Sequence, residues 1–113
     1  SNAYYPKYQD IYRSEGFGPR PTWKNVEVHG RTLDPFLGFY PWQEQAFQAL
    51  AKALHKAYDI PLETPVKNGA AITTVVPEVV AGTFNGVINH YHITKRKIDC
   101  AGFDLDEVLA EII

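Results

Sequence analysis

The side chains best suited to chemistry lie close together near the end of the chain. His90 and His92 are separated by one residue, and Asp99 and Cys100 follow shortly after them. Imidazole, carboxylate and thiolate are the groups that bind zinc in proteins. The preceding residues are apolar and β-prone, so we expect a strand over residues 86–92 whose alternation places both histidines on one face. On composition alone, a surface hairpin whose polar side chains have no function is as strongly expected as a zinc site.

The order of residues in this stretch resembles the C-terminal zinc motif of the zinc-dependent N-acetylmuramoyl-L-alanine amidases. That family includes phage amidase lysozymes and animal peptidoglycan recognition proteins. In its pattern an apolar strand ends in a ligand His, and a variable loop leads to Lys-x-Asp or a nearby Cys. Gly or Pro, an aromatic residue and a short helix come next. The corresponding segments here are Val87-Ile88-Asn89-His90, Lys97-Ile98-Asp99 and Gly102-Phe103-Asp104, and the resemblance covers about residues 25–113.

The resemblance implies a zinc ion, Zn²⁺, held by His90 and by one residue of the pair Asp99 and Cys100. The family lysine lies two residues before its anionic ligand, and Lys97 in that position selects Asp99. The segment Cys-Ala-Gly-Phe-Asp-Leu, residues 100–105, instead resembles the phage form of the motif, in which Cys is the ligand, and this selects Cys100. Adjacent residues of an extended chain point in opposite directions, so we expect only one of them to bind the ion, with Asp99 preferred. Lys97 is similar to the lysine thought to stabilise the oxyanion, an electrostatically reasonable role.

An upstream segment, residues 25–29, alternates polar and apolar side chains and predicts a short strand. Val26 and Val28 are expected to face the core, which leaves Glu27 and His29 on the opposite face. On composition alone, Glu27 is a solvated strand carboxylate.

Three further residues receive roles from the resemblance. Asn25-Val26-Glu27-Val28 is similar to the Gly-Ile-Glu-Leu strand of the amidases, whose Glu is a proposed general base, and this implies the same catalytic role for Glu27. His29 is implied as a substrate-binding neighbour of Glu27 or as a simply exposed residue. His92 is implied as a substrate contact or as a residue that supports the zinc ligands.

The clearest helix is predicted from Pro41 to Tyr58. Proline suits the first helical turn because its missing N–H is not needed there, and residues 59–61 stop the helix. Its apolar side chains recur at helical spacing, at Phe47, Leu50 and Leu54. Trp42-Gln43-Glu44-Gln45 and Tyr58-Asp59-Ile60-Pro61 look like the two ends of the helix that follows the Glu strand in the amidases. We assign this helix no chemistry.

A second helix is predicted after Asp104, which can cap it, with Glu107 completing a capping-box arrangement. Its buried face is expected to be Leu105, Val108, Leu109 and Ile112. Residues 62–71 are predicted to form a loop, and residues 72–76 a short strand that residues 79–80 extend. These elements predict an α/β fold, a small mixed β-sheet with a long helix packed on it and a short C-terminal helix, as part of an amidase domain.

The chain divides into three parts. Residues 1–3 look like the remnant of a removed tag, and residues 4–24 are aromatic but rich in Gly and Pro, which predicts irregular structure with a helical turn at 7–14. Residues 25–113 form the C-terminal part of the amidase-like domain. At 113 residues this is one small domain or part of one, and 45% apolar residues indicate a globular chain.

Composition also limits the partners. A net charge of −2 gives no support for nucleic-acid binding, no apolar run reaches the length of a membrane span, and a single Cys excludes an intramolecular disulfide. The resemblance implies peptidoglycan muramoyl-peptide as the substrate. It places the protein in the cell envelope or periplasm, outside the cell, or in a phage lysin.

One ligand of the family motif is not found. The family has a further ligand His on an early strand of the type Ile-x-Ile-His-His, and nothing in residues 4–24 looks like it. The resemblance therefore implies the C-terminal part of an amidase domain, truncated or degenerate, with an incomplete site, weak zinc binding and little or no hydrolysis. A non-catalytic peptidoglycan-binding module and a small interaction domain are the alternatives.

Overall fold

A computed structural model of the chain describes residues 11–112. Its strands are short and form three separate antiparallel pairs. The pairs are β1 (Thr22–Trp23) with β4 (Phe36–Leu37), β2 (Glu27–Val28) with β3 (Arg31–Thr32), and β5 (Val66–Lys67) with β6 (Ala70–Ala71). The described residues thus combine helices with small antiparallel sheets, and the predicted single mixed sheet does not form among them.

The helices are α1 (Pro41–Tyr58), α2 (Pro77–Val80) and α3 (Leu105–Ala110), with a 3₁₀ turn at His90–His92. The bounds predicted for α1 are confirmed. The Tyr40 N–H donates to Gln43 Oε1 at 2.8 Å at its start, and Asp59 adopts a left-handed conformation, with φ of 57°, at its end. Both features stop helical hydrogen bonding from extending further.

Helix α1 packs on α3, whereas we predicted that it would pack on a sheet. Ala51 of α1 is buried in one core cluster with Phe103 and the apolar face of α3. The Gln48 side chain donates from Nε2 to the Val108 carbonyl at 3.0 Å, which ties the two helices together. The predicted Asp104 cap of α3 is confirmed, since the Glu107 N–H donates to Asp104 Oδ1 at 3.2 Å. The predicted capping box is not completed among residues 11–112, because the Glu107 carboxylate makes no return hydrogen bond to the Asp104 N–H.

A second core cluster lies under the β2–β3 hairpin. Val28, Phe36, Tyr91 and Ala101 are buried together. Val28 is buried while its neighbour Glu27 is exposed, as predicted. The strand itself is shorter than the predicted 25–29, because Asn25 and His29 have positive φ, 59° and 55°, and lie outside it. This cluster connects the hairpin to the stretch that carries the candidate ligands.

The strand predicted at residues 72–76, with its extension at 79–80, is wrong. Residues 72–76 form no strand, and residues 79–80 belong to helix α2. The predicted loop at 62–71 instead contains the β5–β6 hairpin, whose turn is Asn68-Gly69 with φ of 54° and 78°. Asn-Gly is the strongest sequence signal for such a turn because both residues tolerate positive φ.

The aromatic N-terminal segment is attached to the fold through its described part. Residues 11–14 are helical, and the predicted tag remnant and the first residues of the predicted turn at 7–14 lie outside the described residues. The Tyr40 hydroxyl donates to the Gly18 carbonyl at 2.7 Å, and the Tyr12 ring packs edge-on against Tyr40. Tyr12 of this segment therefore packs against the buried side chain of Tyr40.

Candidate functional site

His90 and Asp99 form a histidine–carboxylate pair on the surface, the arrangement best suited to metal binding. His90 Nδ1 lies 3.2 Å from Asp99 Oδ2, and the two side chains are 44% and 56% exposed. The backbone holds them in place, since the Tyr91 N–H donates to the Asp99 carbonyl at 3.3 Å. The structure therefore brings together the two residues that the sequence singled out as first-choice ligands, and leaves both accessible.

His92 has the opposite environment, because the predicted strand at 86–92 is wrong. A 3₁₀ turn advances about a third of a turn per residue, so side chains two apart diverge instead of sharing a face. His92 is only 1% exposed. Its Nδ1 accepts from the Asn89 N–H at 2.9 Å, and its Nε2–H therefore donates to the Ile72 carbonyl at 2.7 Å. Both ring nitrogens are occupied, so His92 presents no group to a substrate or metal here.

Burial has a direct electrostatic effect on His92. It lowers the pKa of the imidazole, a trend that the hydrogen bond to Ile72 partly opposes and that nearby His29 reinforces. The ring is therefore held neutral as a structural bridge between the turn and residue 72.

Asn89 closes the loop that carries the pair. Its side chain is buried, donates from Nδ2 to the Tyr91 hydroxyl at 2.8 Å and accepts at Oδ1 from the Cys100 N–H at 3.2 Å. Asn89 directly precedes His90, and Cys100 directly follows Asp99. The hydrogen bond between Asn89 and Cys100 therefore holds the two ends of this loop together. Sequence reasoning assigned it no role, although an Asn before a turn is a common capping signal.

The alternative ligand, Cys100, is half-buried against the core cluster of α1 and α3. Burial, followed by the neighbouring Asp99 carboxylate, raises the pKa of its thiol. Cys100 is half-buried, whereas Asp99 is exposed and lies beside His90. The choice between the two as ligand stays a prediction.

His29 connects the Glu27 hairpin to the same loop. It occupies the turn between β2 and β3 with φ of 55°, and its Nε2 donates to the Lys97 carbonyl at 3.0 Å. Its backbone N–H donates to Thr73, and its ring packs edge-on against Tyr91 at 6.4 Å. His29 is therefore a positioning residue in this structure, with one ring nitrogen already engaged by the protein.

The two predicted catalytic side chains are both exposed. Glu27 lies in β2 opposite Thr32, and Lys97 lies in the loop between the 3₁₀ turn and Asp99. Among residues 11–112, neither side chain forms a hydrogen bond or an ion pair. The His29 contact places the β2–β3 turn against the backbone of Lys97.

The His90–Asp99 pair fits two positions of a zinc site. A nitrogen and an oxygen 3.2 Å apart can both reach one ion at the usual bond lengths of about 2.0–2.2 Å. Within the described part of the chain, however, no group of three or more His, Cys, Asp or Glu side chains could hold a metal. A catalytic zinc site uses three protein ligands, so the described residues offer two of them.

In comparisons with known proteins, no protein-family model, curated protein or solved structure matches the chain. No helix in residues 11–112 has both the length and the apolar character needed to cross a membrane.

Proposed function

We propose that this chain carries the C-terminal part of a peptidoglycan amidase domain that cleaves the amide bond between N-acetylmuramic acid and L-alanine. The observation that carries the proposal is the 3.2 Å approach of His90 Nδ1 to Asp99 Oδ2 on an accessible surface. Lys97 two residues before Asp99 and the alternating Glu27 strand support it. The substrate would be met in the cell envelope or periplasm, outside the cell, or by a phage lysin.

His90 and Asp99 would hold the zinc ion. When bound, zinc polarises the scissile carbonyl and lowers the pKa of a bound water towards neutrality. The Lys97 ammonium would stabilise negative charge that develops on the carbonyl oxygen. Glu27 would accept the proton from the attacking water and pass it to the leaving amine. His29 and Asn89 position the two segments that carry these groups.

A second candidate is a non-catalytic peptidoglycan-binding module. It is favoured by the finding that the described residues contain two suitable ligands and no group of three. In that case the accessible His90, Asp99 and Lys97 would contact the muramoyl-peptide without cleaving it.

Zinc binding by the purified chain is the first test. We expect weak binding in calorimetric titration that is lost in His90→Ala and in Asp99→Ala, because each removes one of two ligands. His55→Ala is the matched control, since His55 is an exposed histidine on α1 whose ring bonds, within residues 11–112, the Ile60 carbonyl alone. Zinc affinity that is unchanged in both ligand variants would rule out this metal site.

Hydrolysis and retention on insoluble peptidoglycan separate the two candidates. Cleavage of a muramoyl-peptide that requires zinc and is lost in Lys97→Ala supports the amidase. Retention without cleavage supports the binding module, and neither retention nor cleavage contradicts both. The coding region upstream of residue 4 is also informative, because a strand ending in His-His there would supply the remaining ligand.

A further inference from the structure

The His90–Asp99 pair supplies only part of a zinc site. Its Nδ1 and Oδ2 atoms are 3.2 Å apart, and within residues 11–112 no group of three His, Cys, Asp or Glu side chains could hold a metal. Zinc in proteins is almost always bound by four groups in a tetrahedral arrangement. The remaining positions around the ion must therefore be filled by groups that residues 11–112 of one copy do not supply.

The spacing of the pair matches one edge of a tetrahedral zinc site. With zinc–ligand bonds of about 2.0–2.2 Å, neighbouring ligand atoms of a tetrahedron are about 3.3–3.6 Å apart. The observed separation of 3.2 Å is close to this range. Hydrogen bonds from the Tyr91 N–H to the Asp99 carbonyl and from the Cys100 N–H to Asn89 hold the loop in this shape. Binding of zinc therefore requires little rearrangement of the two side chains.

The surface around the pair has features of a surface that a second protein covers. His90 and Asp99 are 44% and 56% exposed. The loop between them carries two exposed isoleucines, Ile93 at 48% and Ile98 at 43%. Ile98 directly precedes Asp99, and the Ile93 N–H donates to the His90 carbonyl at 3.0 Å. Isoleucine is among the residues most often buried, so two exposed ones next to the ligands favour contact with a protein surface.

The charges of the same loop oppose its association with an identical loop. Lys95, Arg96 and Lys97 are consecutive and exposed, and none of them forms an ion pair within residues 11–112. Two such loops repel each other over distances up to the Debye length, about 8 Å at physiological ionic strength. Apolar contact alone therefore has to overcome repulsion, and a bridging metal ion supplies the missing attraction.

From these features we propose that a second copy of this chain completes the site, so that one zinc ion is bound by His90 and Asp99 of each copy. A two-fold axis places the same surface on both sides of an interface, and it therefore brings both pairs to one ion. Two neutral imidazoles and two carboxylates are a suitable ligand set for Zn²⁺ and balance its charge. The inference rests on the zinc site of the proposed function and adds its partner.

The bridge has a consequence for the proposed chemistry. A zinc ion with four protein ligands has no open position for a water molecule, whereas a catalytic zinc ion keeps one open. The bridged dimer is therefore not expected to cleave a muramoyl-peptide. Bridging and hydrolysis are alternative uses of the same pair of side chains.

Sedimentation velocity of the full chain with zinc tests the bridge. We use the chain at roughly 100 µM, which detects affinities in the micromolar range. The chain is expected to be a monomer in EDTA and to double in mass with half an equivalent of zinc. In a large excess of zinc it should return towards the monomer, because each copy then binds an ion of its own. This rise and fall is specific to an ion shared by two copies.

Variants locate the bridge. His90→Ala and Asp99→Asn are expected to remain monomers at half an equivalent of zinc. Asn keeps the size of Asp and accepts the same hydrogen bond, but its neutral amide is a poor zinc ligand. Asp99→His should still dimerise with zinc, because imidazole also binds this metal. His55→Ala is the matched control and should behave as the native chain, and urea midpoints show that each variant is folded.

Different failures have different meanings. A native chain that binds one zinc ion through His90 and Asp99 but stays a monomer at half an equivalent overturns the bridge and leaves the zinc site of the proposed function intact. The same dimer in EDTA, or in Asp99→Asn with zinc, overturns the bridge as well. No zinc binding at all, in either titration or sedimentation, overturns both the bridge and the zinc site.

Discussion

His90 and His92 are two residues apart, yet we expect their replacement by alanine to have opposite consequences. His92→Ala removes a side chain that is 1% exposed and bonded through both ring nitrogens. It leaves the Asn89 N–H and the Ile72 carbonyl unpaired, at about 1–3 kcal/mol for each buried group. The space left by the ring adds to this cost, so we expect a loss of at least about 3 kcal/mol in the free energy of unfolding.

His90→Ala is the matched comparison. His90 is 44% exposed, and its side chain contacts an exposed carboxylate in a pair of the kind that contributes about 0–1 kcal/mol. We therefore expect near-native stability in this variant. Its effect should appear only in zinc binding, where one ligand is lost.

Urea unfolding followed by the fluorescence of Trp23 and Trp42 measures both variants in zinc-free buffer. A total stability of about 5–15 kcal/mol is usual for a small domain, so the expected shift for His92→Ala is large and that for His90→Ala is close to the error. A His92→Ala variant as stable as the native chain would refute the buried bridge. Equal losses in the two variants would refute the 3₁₀ turn that separates them.

Three further outcomes follow from single residues. Because burial lowers the pKa of His92 below the ordinary value of 6.5, the unfolded chain takes up a proton at higher pH than the folded one. Stability should therefore be lost as pH falls below about 6.5, and His92→Leu should flatten the dependence of the urea midpoint on pH. Thr64→Val removes the unpartnered buried hydroxyl, so we expect the free energy of unfolding to rise by about 1 kcal/mol; a drop in melting temperature would show that Oγ1 has a partner. Asp104→Ala removes the cap of α3 and should cost about 1 kcal/mol, whereas Asp104→Ser should restore most of it in the same urea titration.

The sequence by itself determined the elements whose signals are local. Pro41 and the stop after Tyr58 mark the ends of α1, and Asp104 with Glu107 marks the start of α3. Alternation predicted that Val28 is buried and Glu27 is exposed. The spacing of His90 and Asp99 within one loop allowed them to meet, because few residues separate them.

Only the tertiary structure decided which segments pair and which histidine is buried. A strand at 86–92 needs a partner strand, and the described residues provide none; the chain closes instead into a 3₁₀ turn that Asn89 braces. His92 is buried because the Ile72 carbonyl, twenty positions earlier, lies where its ring can bond it. Such contacts depend on packing between distant segments, whereas helix caps and strand alternation depend on neighbours along the chain.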